Sequence, residues 1–173
     1  VVAPPNLTFY FPETGHNLEE PFATFWRTNG GRLIFGDPIT EINRNGLPTQ
    51  YFQKARMELH PNNQIMLGLL GSELFGDQNL PPLDTKPLHP KFARFYDKRG
   101  GPEIFGNTIS SPFTEAGKLV QVFQRAKLIH NPNVLGKFYQ AMEIKYGVTL
   151  LALDEVKLDT LGEDIAWQKG IST

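Results

Sequence analysis

Glu13 and His16 stand at E-x-x-H spacing, which offers a metal ion two ligands. A zinc centre needs a third ligand of similar quality, and the second half of the chain carries Leu83 and Lys86 at the corresponding positions, so a role in turn chemistry is expected. His60, His89 and His130 fall at the ends of strand-like or helix-like runs and read as edge histidines. Glycoside hydrolysis would need two carboxyl groups held about 5–9.5 Å apart in a cleft. Glu19, Glu20, Glu41 and Glu58 are the candidates, and their aligned positions in the second half hold His89, Pro90, Ser111 and Ile129. With no cysteine, thiolate catalysis, disulfides and Cys-type zinc sites are excluded. There is no G-x-S-x-G elbow, P-loop or dinucleotide fingerprint; GGRLIFG lacks the glycine spacing and reads as preceding a strand. The expectation is a chain that is not an enzyme and uses no cofactor.

Aromatic residues are the remaining candidates, because a flat ring with a polar tip suits a sugar or a partner protein. Trp26 and Tyr96 lie beside Phe25 and Phe95 at helical spacing and read as core. Tyr51 and Trp167 are freer: if a hairpin buries Phe52, Tyr51 faces the other way, and Trp167 sits in a tail that no internal pattern explains. Val122 replaces Tyr51 in the second half, so such a contact is not duplicated. Asn6-Leu7-Thr8 matches a glycosylation sequon, a pattern short enough to arise by chance.

What must position these residues is written twice. FATFWRTNGGRLIFGDPIT (22–40) aligns with FARFYDKRGGPEIFGNTIS (92–110) at nine of nineteen positions, and TQYFQKARMELHPN (49–62) with VQVFQRAKLIHNPN (120–133) at six of fourteen. The offset grows from 70 to 71 between the blocks, a single insertion of the kind that turns absorb. Leu18, Phe22, Phe25 and Trp26, matched by Leu88, Phe92, Phe95 and Tyr96, form one apolar helical stripe. Asn17 is the expected N-cap of the first, Pro90 lies in the first turn of the second, and Gly30-Gly31 and Gly100-Gly101 stop them. LIFGDPITEI and PTQYF flank Asn45-Gly46 as a two-residue hairpin, answered by TEAGK. A tight turn over Gln53 to Ala55 restores Phe52, Met57 and Leu59 to one face.

IMLGLLGSELF and VLGKFYQAMEIKY read as closing helices. The expected class is therefore α+β: an extended lead-in (1–16), a first repeat (17–76), a proline-rich linker (77–87), a second repeat (88–146) and a strand-like tail (147–173) without counterpart. Each repeat is a helix, a three-stranded antiparallel meander and a closing helix.

At 173 residues and 40% hydrophobic content the chain can bury about 70% of the surface its unfolded form exposes. Its 17 basic and 18 acidic residues leave a formal charge of −1 and no footprint for nucleic acid or anionic lipid. No apolar run approaches the roughly 18 residues of a membrane span, so no membrane insertion is expected. The opening VVAPPN is read as the new end left by removal of a signal peptide.

A helix ending in GG, then (L/I)FGxPI(T/S), then a hairpin carrying QxFQ(K/R)A and HPN, resembles the LGFP-type repeats of secreted bacterial cell-envelope proteins. FPETGH at 11–16 resembles the lead-in of such repeat pairs in exported proteins. The resemblance covers roughly 11–75 and, more loosely, 84–146. Phe35 and Phe105 stand where that pattern has Leu, Lys54-Ala55 and Arg125-Ala126 where it has glycines, and Thr108 where it has proline. It implies an extracellular or cell-surface module without catalysis, with envelope glycan or a neighbouring protein as partner. From the residues themselves the expected partners are other copies of the chain, pairing through strand-like termini, or a sugar on an aromatic face; that this sugar is cell-wall polysaccharide is what the resemblance implies.

Overall fold

A computed structural model describes residues 8–76, 87–131 and 156–173. The chain is mixed α+β, with three antiparallel sheets among the described residues, and it divides into two compact units, Val1–Leu70 with Thr160–Thr173, and Gly71–Asp159.

The first unit opens on a hairpin, β1 (Thr8–Phe11) with β2 (His16–Glu19), in which Phe9 faces Leu18 across the ladder. From Thr8 on, the extended lead-in is thus paired in a hairpin, and Leu18 belongs to that hairpin and not to the helix. Pro21 explains the correction. Its ring disfavours helical geometry at Glu20, so the helix cannot reach back to Asn17 as an N-cap and starts at Phe22. Helix α1 (Phe22–Thr28) buries Phe22 and Ala23, and α2 (Gly31–Phe35) buries Ile34 and Phe35. LIF is therefore helical, not a strand. Gly30, in the left-handed region at φ 109°, breaks the helix and restarts it within one residue.

Sheet order in the first unit is β3 (Thr49–Tyr51), β4 (Arg56–Leu59) and β5 (Ile65–Leu67). The expected turn over Gln53 to Ala55 joins β3 to β4, closed by Phe52 N donating to Ala55 O at 2.8 Å, which puts Phe52 and Met57 in the core at 0% exposure. Pro38 and Asn43 touch the sheet only by isolated bridges to Phe52 and Thr49. The Asn45-Gly46 connection is accordingly a longer loop than the two-residue hairpin expected. Helix α6 (Leu161–Gln168), from the tail, completes this unit.

The second unit runs from Gly71 in α3 (Leu70–Phe75) through α4 (Pro90–Lys98), α5 (Gly101–Phe105) and a sheet ordered β6 (Phe113–Glu115), β7 (Lys118–Val122), β8 (Lys127–His130) and β9 (Val156–Leu158). His89 caps α4 by accepting from Lys91 N, and Pro90 follows at the first helical position as expected. Here the two-residue hairpin does form, at Ala116-Gly117, which joins Glu115 to Lys118. The closing segment expected at VLGKFYQAMEIKY lies outside the described residues.

Within each unit the same local bonds recur. Trp26 Nε1 donates to Gly36 O at 2.9 Å, and Tyr96 Oη donates to Gly106 O at 2.8 Å. Gln53 Oε1 accepts from Asp37 N at 3.0 Å, and Gln124 Oε1 accepts from Asn107 N at 2.9 Å. Gly36 and Gly106 share φ 74°, and a Cβ there would meet the Gln53 or Gln124 Cβ at 2.6 or 2.7 Å, so both backbone angle and space demand glycine. Phe52 and Phe123, each fully buried, contribute about 1.5–3 kcal/mol apiece from burial.

The tail is not without counterpart. Leu67 pairs with Met57 as Leu158 pairs with Leu128, and each strand is followed by a helix beginning Leu-Gly. IMLGLLGSELF is therefore strand then helix, matched by VKLDTLGEDIAW. The two helices are placed crosswise: α3, which follows β5, has Gly71–Phe75 in the second unit, while α6, which follows β9, lies in the first. The partition thus cuts across the expected segments 17–76 and 147–173.

Candidate functional site

Helix α6 has two faces. Leu161, Gly162, Ile165 and Ala166 are buried, whereas Glu163, Asp164 and Trp167 fall on the other side at i, i+1 and i+4. Ile165 and Ala166 hold the helix down, and the next residue turns outward; Trp167 is 86% exposed, the most exposed of the large apolar side chains among the described residues. Beside it lies a cavity of about 300 Å³ lined by Ile39, Glu163, Asp164, Trp167, Ile171 and Thr173. That volume is at the lower end for small-ligand sites. An apolar ring, two isoleucines and two carboxylates in the first turn can stack on a pyranose face while accepting hydrogen bonds from its hydroxyls, or can seat an aromatic or cationic side chain.

Tyr51, the other residue singled out in the sequence, does not line this cavity. Its face is occupied: the Arg56 guanidinium lies 5.6 Å from the ring centroid, and Arg56 NH1 donates to the Tyr51 hydroxyl at 3.5 Å. Arg56 in turn is held by Glu58 at 2.8 Å and is about nine-tenths buried. The structure leaves Trp167 exposed and spends Tyr51 on a cation pair.

The acidic and histidine candidates disperse. Glu13 pairs with Arg32 at 3.7 Å, while His16 lies 3.4 Å from Glu41, so the E-x-x-H residues point to different partners. Glu19 meets Arg44 at 2.9 Å, and Glu20 accepts from the Thr24 amide and hydroxyl at 3.2 and 2.7 Å, bracing the first turn of α1. His60 lies 3.4 Å from Glu58, and His130 is buried in β8 opposite Leu119 and Val156. Among the described residues no group of three or more His, Asp or Glu side chains can hold a metal ion. Asn6 and Leu7 of the sequon lie outside the described residues, and no described helix is long and apolar enough to cross a membrane.

In the second unit a buried lysine is held by two carboxylates. Lys127, 6% exposed, reaches Glu115 at 2.6 Å and Asp159 at 2.9 Å, with its ammonium 5.7 Å from the Phe75 ring. Burial alone would lower its pKa, but the hydrogen bonds it donates to Glu115 and Asp159 outweigh that and hold it above the ordinary lysine value. A raised folded-state pKa gives stability that is complete below the unfolded value of about 10.4 and is lost as pH rises through the higher folded value. We therefore expect urea unfolding to show a steeper alkaline loss of stability in the wild type than in Lys127→Met, in which only the loss from Tyr96, whose pKa burial also raises, remains. Equal alkaline slopes in the two proteins would remove the pair from the account. The position is basic in both halves, Arg56 and Lys127, and each is closed by a carboxylate.

Sequence reasoning named Trp167 but missed Ile39, Glu163, Asp164 and Ile171 around it. The signal was present in GEDIAW, whose i, i+4 spacing sets Glu163 beside Trp167, once the tail is read as helix. A second, shallower groove of about 440 Å³, lined by Leu47, Pro48, Leu59 and His60 among others, was not anticipated either. The chain matches no protein-family model, no curated protein and no solved structure.

Proposed function

We propose that this chain is a non-catalytic, exported module of the bacterial cell surface, akin to LGFP-type repeats, built by duplication of one strand-and-helix unit and acting by presenting contact faces. One observation carries the reading. Side chains kept in both halves are spent on scaffold: Phe52 and Phe123 fill cores, Gln53 and Gln124 cap the loops after α2 and α5, and Gly36 and Gly106 make room for them. The carboxylates Glu19, Glu20, Glu41 and Glu58 have no acidic match in the second half, and each is held by a structural partner. The outward-facing ring of Trp167, with its neighbouring cavity, is the proposed contact.

Partners in this reading are neighbouring envelope proteins and further copies of the chain. Self-association through terminal strands is supported by β1, which among the described residues pairs with β2 alone and exposes Phe9 and Tyr10. β9 is already committed to β8 along one edge.

A second reading, a cell-wall glycan-binding module attached to a larger secreted protein, draws on Trp167 lying beside Glu163 and Asp164 at one cavity. Retention on purified cell wall separates the two. Tight retention lost at least tenfold in Trp167→Ala, with unfolding unchanged because the ring is exposed, selects the glycan reading. No retention, with Trp167→Ala abolishing capture of a surface protein, selects the first. Turnover of peptidoglycan or polysaccharide that a single carboxylate substitution abolishes would defeat both and select a small glycan hydrolase.

A further inference from the structure

We propose that the Phe52–Ala55 turn is a socket for helix α6 of a second copy of this chain, so that two chains dimerise by trading that helix. This deepens the self-association part of the reading above and does not depend on export or on a glycan.

The socket is recognised through three elements. Leu161 enters the core at 1% exposure, Gly162 passes so close to the Phe52 carbonyl that a Cβ would overlap it, and Glu163 N donates to Gln53 O at 3.1 Å. The turn at Phe123–Ala126 receives α3 in the same way: Gly71 passes equally close to the Phe123 carbonyl, and Ser72 N donates to Gln124 O at 3.0 Å. In both cases the helix that docks does not follow the strand adjoining its socket. β5 belongs to the three-stranded sheet of the first unit, yet α3 docks on the second unit's turn; β9 belongs to the four-stranded sheet of the second unit, yet α6 docks on the first unit's turn.

Each socket is therefore filled by a segment that reaches it only through a long stretch of chain. Nothing in the contact, a leucine, a glycine and one amide-to-carbonyl bond, identifies which molecule supplied it. A second copy offers the identical helix, so closure within one chain wins by effective concentration, of millimolar order, and not by specificity. Raising the protein concentration toward that value during refolding makes exchange competitive, which is the general route to domain-swapped dimers.

The test uses the full chain. Isotope-labelled and unlabelled protein are denatured together, refolded at micromolar or at about millimolar concentration, and examined by native mass spectrometry after dilution. Monomer alone is expected from the dilute sample, and from the concentrated sample a dimer, including labelled–unlabelled pairs, that survives dilution. A synthetic peptide of residues 159–173, added in excess during refolding, is expected to fill the socket and reduce the dimer at least fivefold. Monomer at every concentration overturns the proposal, and so does a dimer indifferent to the peptide, which would place the interface elsewhere. Because cell wall plays no part in this measurement, failure here and failure of the surface reading are separately visible.

Discussion

Gly162→Ala is expected to destabilise the first unit by about 3 kcal/mol, reversing the sign that helix propensity alone would give. In an exposed helix interior, alanine for glycine stabilises by about 1 kcal/mol. The backbone at Gly162 is not in the left-handed region, so no conformational strain is involved; the obstacle is space. A methyl group would overlap the Phe52 carbonyl oxygen and approach that of Ala55, both of them backbone in a tight turn that cannot swing aside. Overpacking of this kind costs about 1–3 kcal/mol. Lifting the helix also breaks the Glu163 N to Gln53 O bond, worth about 1 kcal/mol, and uncovers Leu161 and Ile165. Urea unfolding of wild type and variant measures the difference; a stabilised variant would show that α6 does not sit on the turn. Gly71→Ala is expected to act alike on the second unit through the Phe123 carbonyl.

The second expectation sets two glutamines of the same motif apart. Gln121→Met is expected to cost about 3 kcal/mol and Gln50→Met only about 1. Both side chains are fully buried. Gln121 donates to Pro87 O and Ser110 O at 3.0 and 3.2 Å and accepts from His89 N at 2.9 Å, so it ties the segment before α4 to the sheet with three bonds. Methionine leaves three backbone groups behind without their partner, at about 1 kcal/mol each. Gln50 donates to Asn17 O and Thr40 O at 2.7 and 2.8 Å, but among the described residues its Oε1 accepts nothing. Removing that acceptor relieves a burial cost that offsets part of the two lost bonds. Chemical denaturation of the two variants in parallel decides the matter, and equal losses would mean that Gln50 is as well satisfied as its counterpart.

These residues also mark how far the sequence could be read. The glutamines, phenylalanines and glycines of the matched blocks announce themselves, because a buried bracket and a glycine beside a Gln Cβ tolerate few alternatives. The Gln53–Ala55 turn was legible from parity alone, since Phe52 and Met57 reach the same core only if the chain folds back between them. LIF was misread because isoleucine and phenylalanine suit strands as well as helices, and only the two flanking glycines reveal a single helical turn. Leu18 sat at helical spacing from Phe22 by coincidence; the proline at 21 carried the correcting information.

The tail was illegible for another reason. Leu70-Gly71 matches Leu161-Gly162 at an offset of 91, not 71, because residues 131–155 stand where the first half has only 60–64. A constant slide cannot find the match, so α6 and its outward face went unrecognised although Trp167 itself was picked out. Which helix serves which turn is not written in local pattern at all, since both begin Leu-Gly and both turns present the same carbonyls.

That crosswise placement sets a timetable for biosynthesis. The amino-terminal unit needs Thr160–Thr173, so a ribosome must first translate everything from Gly71 to Asp159. At about 5–20 residues per second this leaves the Phe52–Ala55 turn uncovered on the nascent polypeptide for a time on the order of several seconds. The half that emerges first is the half completed last, and stop codons near the carboxyl end would damage the opposite end of the molecule.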